Sequence, residues 1–164
     1  MPFLVSDTSV IIDLDRSDLL EPAFGLSDSF VVPDLLFAHE LDDDFGRRLL
    51  ALGLEVVSLD GTEVAKATML RRAEARLSVA DTFAFALALG RGWTLLTGDG
   101  VLRAVAEADG VAVHGVLWVI DRLDSEGVCD HPKLHAGLSK AARHPRCRLP
   151  RREIDARLRR YAGG

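Results

Sequence analysis

Five short apolar runs, each followed by a longer stretch with helical signals, constrain this chain more than any other feature. The runs are Phe3-Leu4-Val5, Phe30-Val31-Val32, Glu55-Val56-Val57, Thr94-Leu95-Leu96 and Val111-Ala112-Val113. They are short and mostly apolar on both faces, which suits a buried parallel sheet better than a half-exposed antiparallel one. Between them, Pro33 opens a predicted helix from Asp34 to about Leu52, with Gly53 as its stop. Asp60 and Thr62 precede a second helix, and Ser78 with Asp81 three residues on gives a third a capping-box start. That third stretch reaches Leu89. Phe83, Phe85, Leu87 and Leu89 alternate as a strand would, but Ala84, Ala86 and Ala88 between them favour a helix buried on most sides. Beyond Val113 the spacing predicts helices only, at Val116–Ser125, His131–Arg143 and Pro150–Tyr161. The expected architecture is a three-layer α/β/α sandwich with a helical C-terminal extension. A chain of 164 residues with 48% hydrophobic content can bury the core this needs.

Composition narrows the setting. No run approaches the ~20 apolar residues that span a bilayer, so no membrane association is expected. The opening residues lack the pattern of a signal peptide, and two cysteines are too few for a disulfide framework. A reducing cytoplasm is the expected location. The net charge of −5 is uneven: residues 1–120 carry 19 acidic against 9 basic side chains, and residues 121–164 carry 6 against 11. An acidic body with a basic tail points to a polyanion or an acidic protein as partner, or simply to a solvated arginine-rich helix.

Four acids stand where such a sheet gathers its ligands. Asp7 follows the first apolar run and Asp99 follows the run Thr94–Leu96; Asp81 lies in a first helical turn and Glu40 inside a helix. Singly, Asp7 and Asp99 read as helix N-caps, Asp81 as part of a capping box and Glu40 as a solvent-facing side chain. Together they read differently, because the carboxyl ends of parallel strands share one edge and ligands bind there. Four carboxylates crowded at that edge repel one another unless a cation neutralises them. Hard oxygen donors suit Mg²⁺ or Mn²⁺, ions that can activate water and steady the leaving oxygen of a phosphodiester.

Val5-Ser6-Asp7-Thr8-Ser9, the pair Pro33 and Glu40, Ser78-Val79-Ala80-Asp81, and Thr97-Gly98-Asp99 resemble, in order and spacing, the successive motifs of PIN-domain nucleases. The resemblance spans about residues 3–114. It implies a five-stranded parallel sheet and a Mg²⁺- or Mn²⁺-dependent endoribonuclease with Asp7, Glu40, Asp81 and Asp99 in the acidic positions. It also implies that Ser9 and Thr97 support the metal site or phosphate through their hydroxyls; local capping explains them equally well. On this reading residues 1–120 form the nuclease domain, and 121–164 a basic helical extension packed on the same domain. Many PIN proteins are toxins held by an antitoxin, so an antitoxin partner is one expectation, alongside an RNA substrate and a homodimer. The region from His114 and the late run Arg148-Leu149-Pro150-Arg151-Arg152 instead resemble the helical extension of an uncharacterised PIN branch. The alternative to an enzyme is a non-catalytic PIN-like module that binds RNA or protein.

Competing constellations are weaker. Asp42-Asp43-Asp44 reads as a solvated helix face, since consecutive helical side chains diverge. Ser9 stands where an Asp-x-Asp phosphatase needs its second aspartate, and no glycine pattern marks a nucleotide loop. Cys129, His131, His135, His144 and Cys147 match no usual zinc spacing. His39 diverges from its neighbour Glu40, and Trp93 and Trp118 read as core or interface. In the last helix Ile154 and Leu158 are four apart and can pack inward. That leaves Arg151, Arg152, Arg159 and Arg160 on outer faces as the expected RNA-binding residues.

Overall fold

Strand alternation builds the molecule in three layers. The computed structural model describes residues 2–163. Its strands are β1 (Phe3–Ser6), β2 (Ser29–Pro33), β3 (Glu55–Val57), β4 (Thr94–Leu96) and β5 (Val113–His114). All pair in parallel in the order β3-β2-β1-β4-β5, with Val5 between Val31 and Leu95. Successive side chains of a strand point to opposite faces, and the core divides accordingly. Leu4, Phe30, Val32 and Leu96 belong to one buried cluster, and Val5, Val31 and Leu95 to the other.

The helices cover both faces. On one side α6 (Val79–Arg91) and α7 (Gly100–Ala108) bury Phe85, Leu87 and Leu102, with α5 (Gly61–Ala73) packed on α6. On the other, α1 (Thr8–Arg16) and the short α2 (Leu20–Ala23) pack beneath α8 (Val116–Ser125), α9 (His131–Arg143) and α10 (Arg151–Ala162). Leu134, Leu138, Ile154 and Tyr161 of α9 and α10 join the same cluster as Leu14 and Ile120. The basic C-terminal helices are thus part of the main core. No described helix is long and apolar enough to cross a membrane.

Two expectations need correction. The helix predicted from Asp34 to Leu52 is two helices, α3 (Asp34–Glu40) and α4 (Asp44–Leu52). Asp43 is an N-cap that accepts from the Gly46 amide at 2.9 Å. A Cβ at position 46 would lie 1.6 Å from the Leu41 carbonyl oxygen, so only glycine lets the chain double back there. Asp42-Asp43-Asp44 is therefore a break and a cap, not a helix face. The last strand begins at Val113 and not Val111, because the Val111 amide still bonds the Ala106 carbonyl at the exit of α7.

Candidate active site

The reversal of strand order lies beside β1, whose neighbours are β2 and β4, and a cleft opens at the carboxyl ends of β1 and β4. It has a volume of about 410 Å³. Asp7, Glu40, Asp81 and Asp99 all line it, carried by four separate parts of the chain.

Asp7 is the innermost, 5% exposed, and three groups hold it. Its Oδ1 accepts from the Ser9 hydroxyl at 2.7 Å and from the Val10 amide at 3.1 Å. Its Oδ2 accepts from the fully buried Thr97 hydroxyl at 2.5 Å. Thr97 Oγ1 in turn accepts from the Asp99 amide at 3.0 Å, so one hydroxyl joins the ends of β1 and β4. Burial pushes the Asp7 carboxyl above the ordinary carboxylate range; these hydrogen bonds oppose the shift and the Asp81 charge adds to it.

Asp81 and Asp99 follow from local capping. The Ser78 hydroxyl accepts from the Asp81 amide and Asp81 Oδ2 accepts from the Ser78 amide, both at 3.0 Å, the reciprocal box expected from the sequence. Asp99 caps α7 through the Leu102 amide at 2.9 Å. Carboxylates at the N-termini of α1, α6 and α7 are favoured by the helix dipoles, which lets three of them share one cleft.

Glu40 differs. It is the last residue of α3, the helix end where a carboxylate is disfavoured, and no hydrogen bond of ordinary geometry holds its side chain among the described residues. Partial loss of water at the cleft rim raises its pKa, and the Asp81 and Asp7 charges add to that. The nearby Thr8 hydroxyl pulls the other way. The Thr8 hydroxyl is itself buried without a hydrogen-bond partner and belongs to the cleft lining.

Further lining residues escaped the sequence reading. Asp13 lies on the same face of α1 as Ser9 and Arg16, at four- and three-residue spacing, and burial raises its carboxyl pKa too. That stripe was the available signal. Arg146, Arg148 and Leu149 arrive from the connection between α9 and α10, and no local pattern announces their position. The expected RNA-binding set is elsewhere: Arg151, Arg152, Arg159 and Arg160 are exposed on α10 and do not line the cleft. Arg160 lies 3.9 Å from Asp121, and the adjacent Arg157 makes a two-pronged bond to the same carboxylate at 2.9 and 2.7 Å.

The remaining candidates have local roles. His131 sits 3.0 Å from Asp124, and His144 Nδ1 accepts from the Arg146 amide. Cys129 and Cys147 pack on the core. His39 faces a different hollow, beside Asp34 and Leu59. Trp93 packs on Phe3 and Trp118 stacks on His114. Among the described residues no three His, Cys, Asp or Glu side chains are close enough to grip one ion directly, in the tail or in the cleft. The donor set of the cleft nonetheless fits a hard divalent cation. Its oxygens repel one another, and Mg²⁺ typically takes one or two carboxylates and keeps several waters.

A family model designated DUF3368 and described as a PIN domain matches residues 3–162. No curated protein matches the sequence. Among solved structures the fold resembles a PilT N-terminus domain protein from the hyperthermophilic archaeon Sulfolobus solfataricus P2. That likeness has 16% identity and a TM-score of 0.47, covering 71% of this chain and 89% of that one.

Proposed function

This chain belongs to the PIN-domain family, whose members are typically nucleases, and from that premise we propose that it is a metal-dependent endoribonuclease. One observation carries the proposal: four carboxylates from four elements face one cleft, and Glu40 is there at a helix C-terminus, where no cap accounts for it. An N-cap explains Asp7, Asp81 and Asp99 singly, but nothing in the packing rewards turning Glu40 toward two other acids.

One or two of Asp7, Asp81 and Asp99 would hold Mg²⁺ or Mn²⁺ directly and the rest through its waters, with Glu40 contacting a second ion or the attacking water. Such a cation lowers the pKa of bound water and stabilises charge on a phosphodiester. The chain's own contribution is positioning. Ser9 and Thr97 fix both oxygens of Asp7, and Thr97 ties Asp99 to it through the backbone. Glu40, at the rim with its pKa raised by partial burial and the Asp81 and Asp7 charges, is a stronger base than an ordinary carboxylate and is placed to accept a proton from water.

The test is cleavage of single-stranded RNA in Mn²⁺ or Mg²⁺ and again after chelation. Cutting that stops with chelator and returns with Mn²⁺ supports the proposal. Cutting that survives exhaustive chelation rejects it, and tight RNA binding with no cutting in either ion favours a non-catalytic module.

A further inference from the structure

A second hollow, about 530 Å³, adjoins the acidic cleft and has no acid in its lining: Arg16, Pro145, Arg146, Cys147 and Arg148 form it. Three of these, Arg16, Arg146 and Arg148, also line the acidic cleft, so the two are continuous. Segment 144–150, an irregular turn that joins α9 to α10, presents the arginines. Cys147 and Leu149 are partly buried against the core and anchor it, while Arg146 and Arg148 beside them are exposed. The segment is braced. Pro145 and Pro150 restrict it at both ends, the Cys147 amide bonds the His144 carbonyl at 3.0 Å, and the Arg146 amide bonds His144 Nδ1 at 3.1 Å.

The charges around this hollow are in no ion pair. Among the described residues none of Arg16, Arg146 or Arg148 makes a salt bridge within 4.0 Å, although five carboxylates line the cleft beside them. By contrast Arg157, Arg122 and Arg91 are each bonded to an acid. An RNA strand approaching the acids meets repulsion at every phosphate but the one a cation neutralises. It needs a cationic surface immediately alongside.

We infer that Arg16, Arg146 and Arg148 form a phosphate pocket that holds the single-stranded RNA backbone next to the bond being cut. The inference rests on reading the acidic cleft as the cutting site. Arginine forks match phosphate oxygens, and each neutralised phosphate releases bound counterion.

The experiment is a salt series of fluorescence anisotropy titrations in chelator, with a labelled short oligouridine and the full chain. It compares wild type, Arg146→Gln with Arg148→Gln, Arg146→Lys with Arg148→Lys, and Arg151→Gln with Arg152→Gln. The first pair should raise Kd at least roughly tenfold and flatten the slope of log K against log salt by about 1.4, at about 0.7 per lost contact. The lysine pair should recover the slope, and thermal unfolding should show all variants folded. In Mn²⁺ the loss of the glutamine pair should fall on KM. An unchanged Kd and slope in the 146/148 glutamine pair overturns the inference even if the protein cuts RNA. A slope lowered only in the 151/152 pair overturns it in favour of α10. A wild type that never cuts, yet loses slope in the 146/148 pair, refutes the nuclease reading while supporting the pocket.

Discussion

Thr97 is the residue on which the site's internal order depends. Its buried hydroxyl donates to Asp7 and accepts from the Asp99 amide, so Thr97→Val leaves two polar groups unmet in an almost unchanged volume. Unsatisfied groups of that kind cost about 1–3 kcal/mol, readable as a lower denaturant midpoint, and a loss of only a few tenths would mean the link is incidental. The acids make an opposite prediction for stability against pH. Asp7 and Glu40 have pKa values raised from the ordinary 3.8 and 4.5, so the folded chain binds their protons more tightly than the unfolded chain does. Their contribution is therefore fully present in acid and is lost as pH rises through the raised values. In chelator, Glu40→Gln should melt higher than wild type at neutral pH and lose that advantage in acid. Mn²⁺ should raise the melting temperature of wild type at neutral pH more than that of Glu40→Gln. Calorimetry showing no effect of Mn²⁺ on either protein would contradict the electrostatic picture of the cleft.

At the level of elements, the break between α3 and α4 decides where Glu40 lies. Gly46→Ala drives a methyl into the Leu41 carbonyl, and a clash in such a packed turn costs about 1–3 kcal/mol and displaces the end of α3. Chemical denaturation and RNA cleavage should both suffer; a variant that keeps full stability would mean the turn relaxes freely. The same elements show what a sequence can disclose. The strands β1, β2 and β4 were legible because buried parallel strands are short apolar runs, and Ser78 with Asp81 marked α6 by a reciprocal cap that the structure contains. The α3–α4 break was hidden because a glycine inside helical spacing signals only weakness until its backbone neighbour is known. That Asp7, Asp81 and Asp99 share one cleft was legible because strand ends and helix starts converge at one edge of a parallel sheet. The place of Arg146 and Arg148 beside that cleft was not, since it depends on how α9 and α10 dock, far along the chain from β4.

Over the whole molecule, charge is distributed so that an acidic body and a basic tail meet at one place. The net excess of 10 acids in residues 1–120 and of 5 bases afterwards could have kept the two apart. Instead α9 and α10 pack into the main core, and the segment between them delivers arginines to the edge of the acidic cleft. On the proposed reading the fold supplies both things a cut strand requires: oxygens for a cation at the scissile phosphate and cationic forks for its neighbours. The most direct measurement is the initial rate of Mn²⁺-dependent cleavage of a labelled single-stranded RNA by wild type, Asp7→Asn, Glu40→Gln and Asp99→Asn, each verified as folded. The prediction is a fall of at least roughly 100-fold for Asp7→Asn and Asp99→Asn, as loss of several kcal/mol of metal-assisted stabilisation requires, and a clear fall for Glu40→Gln. Near-wild-type rates in both aspartate variants would show that these acids only cap their helices.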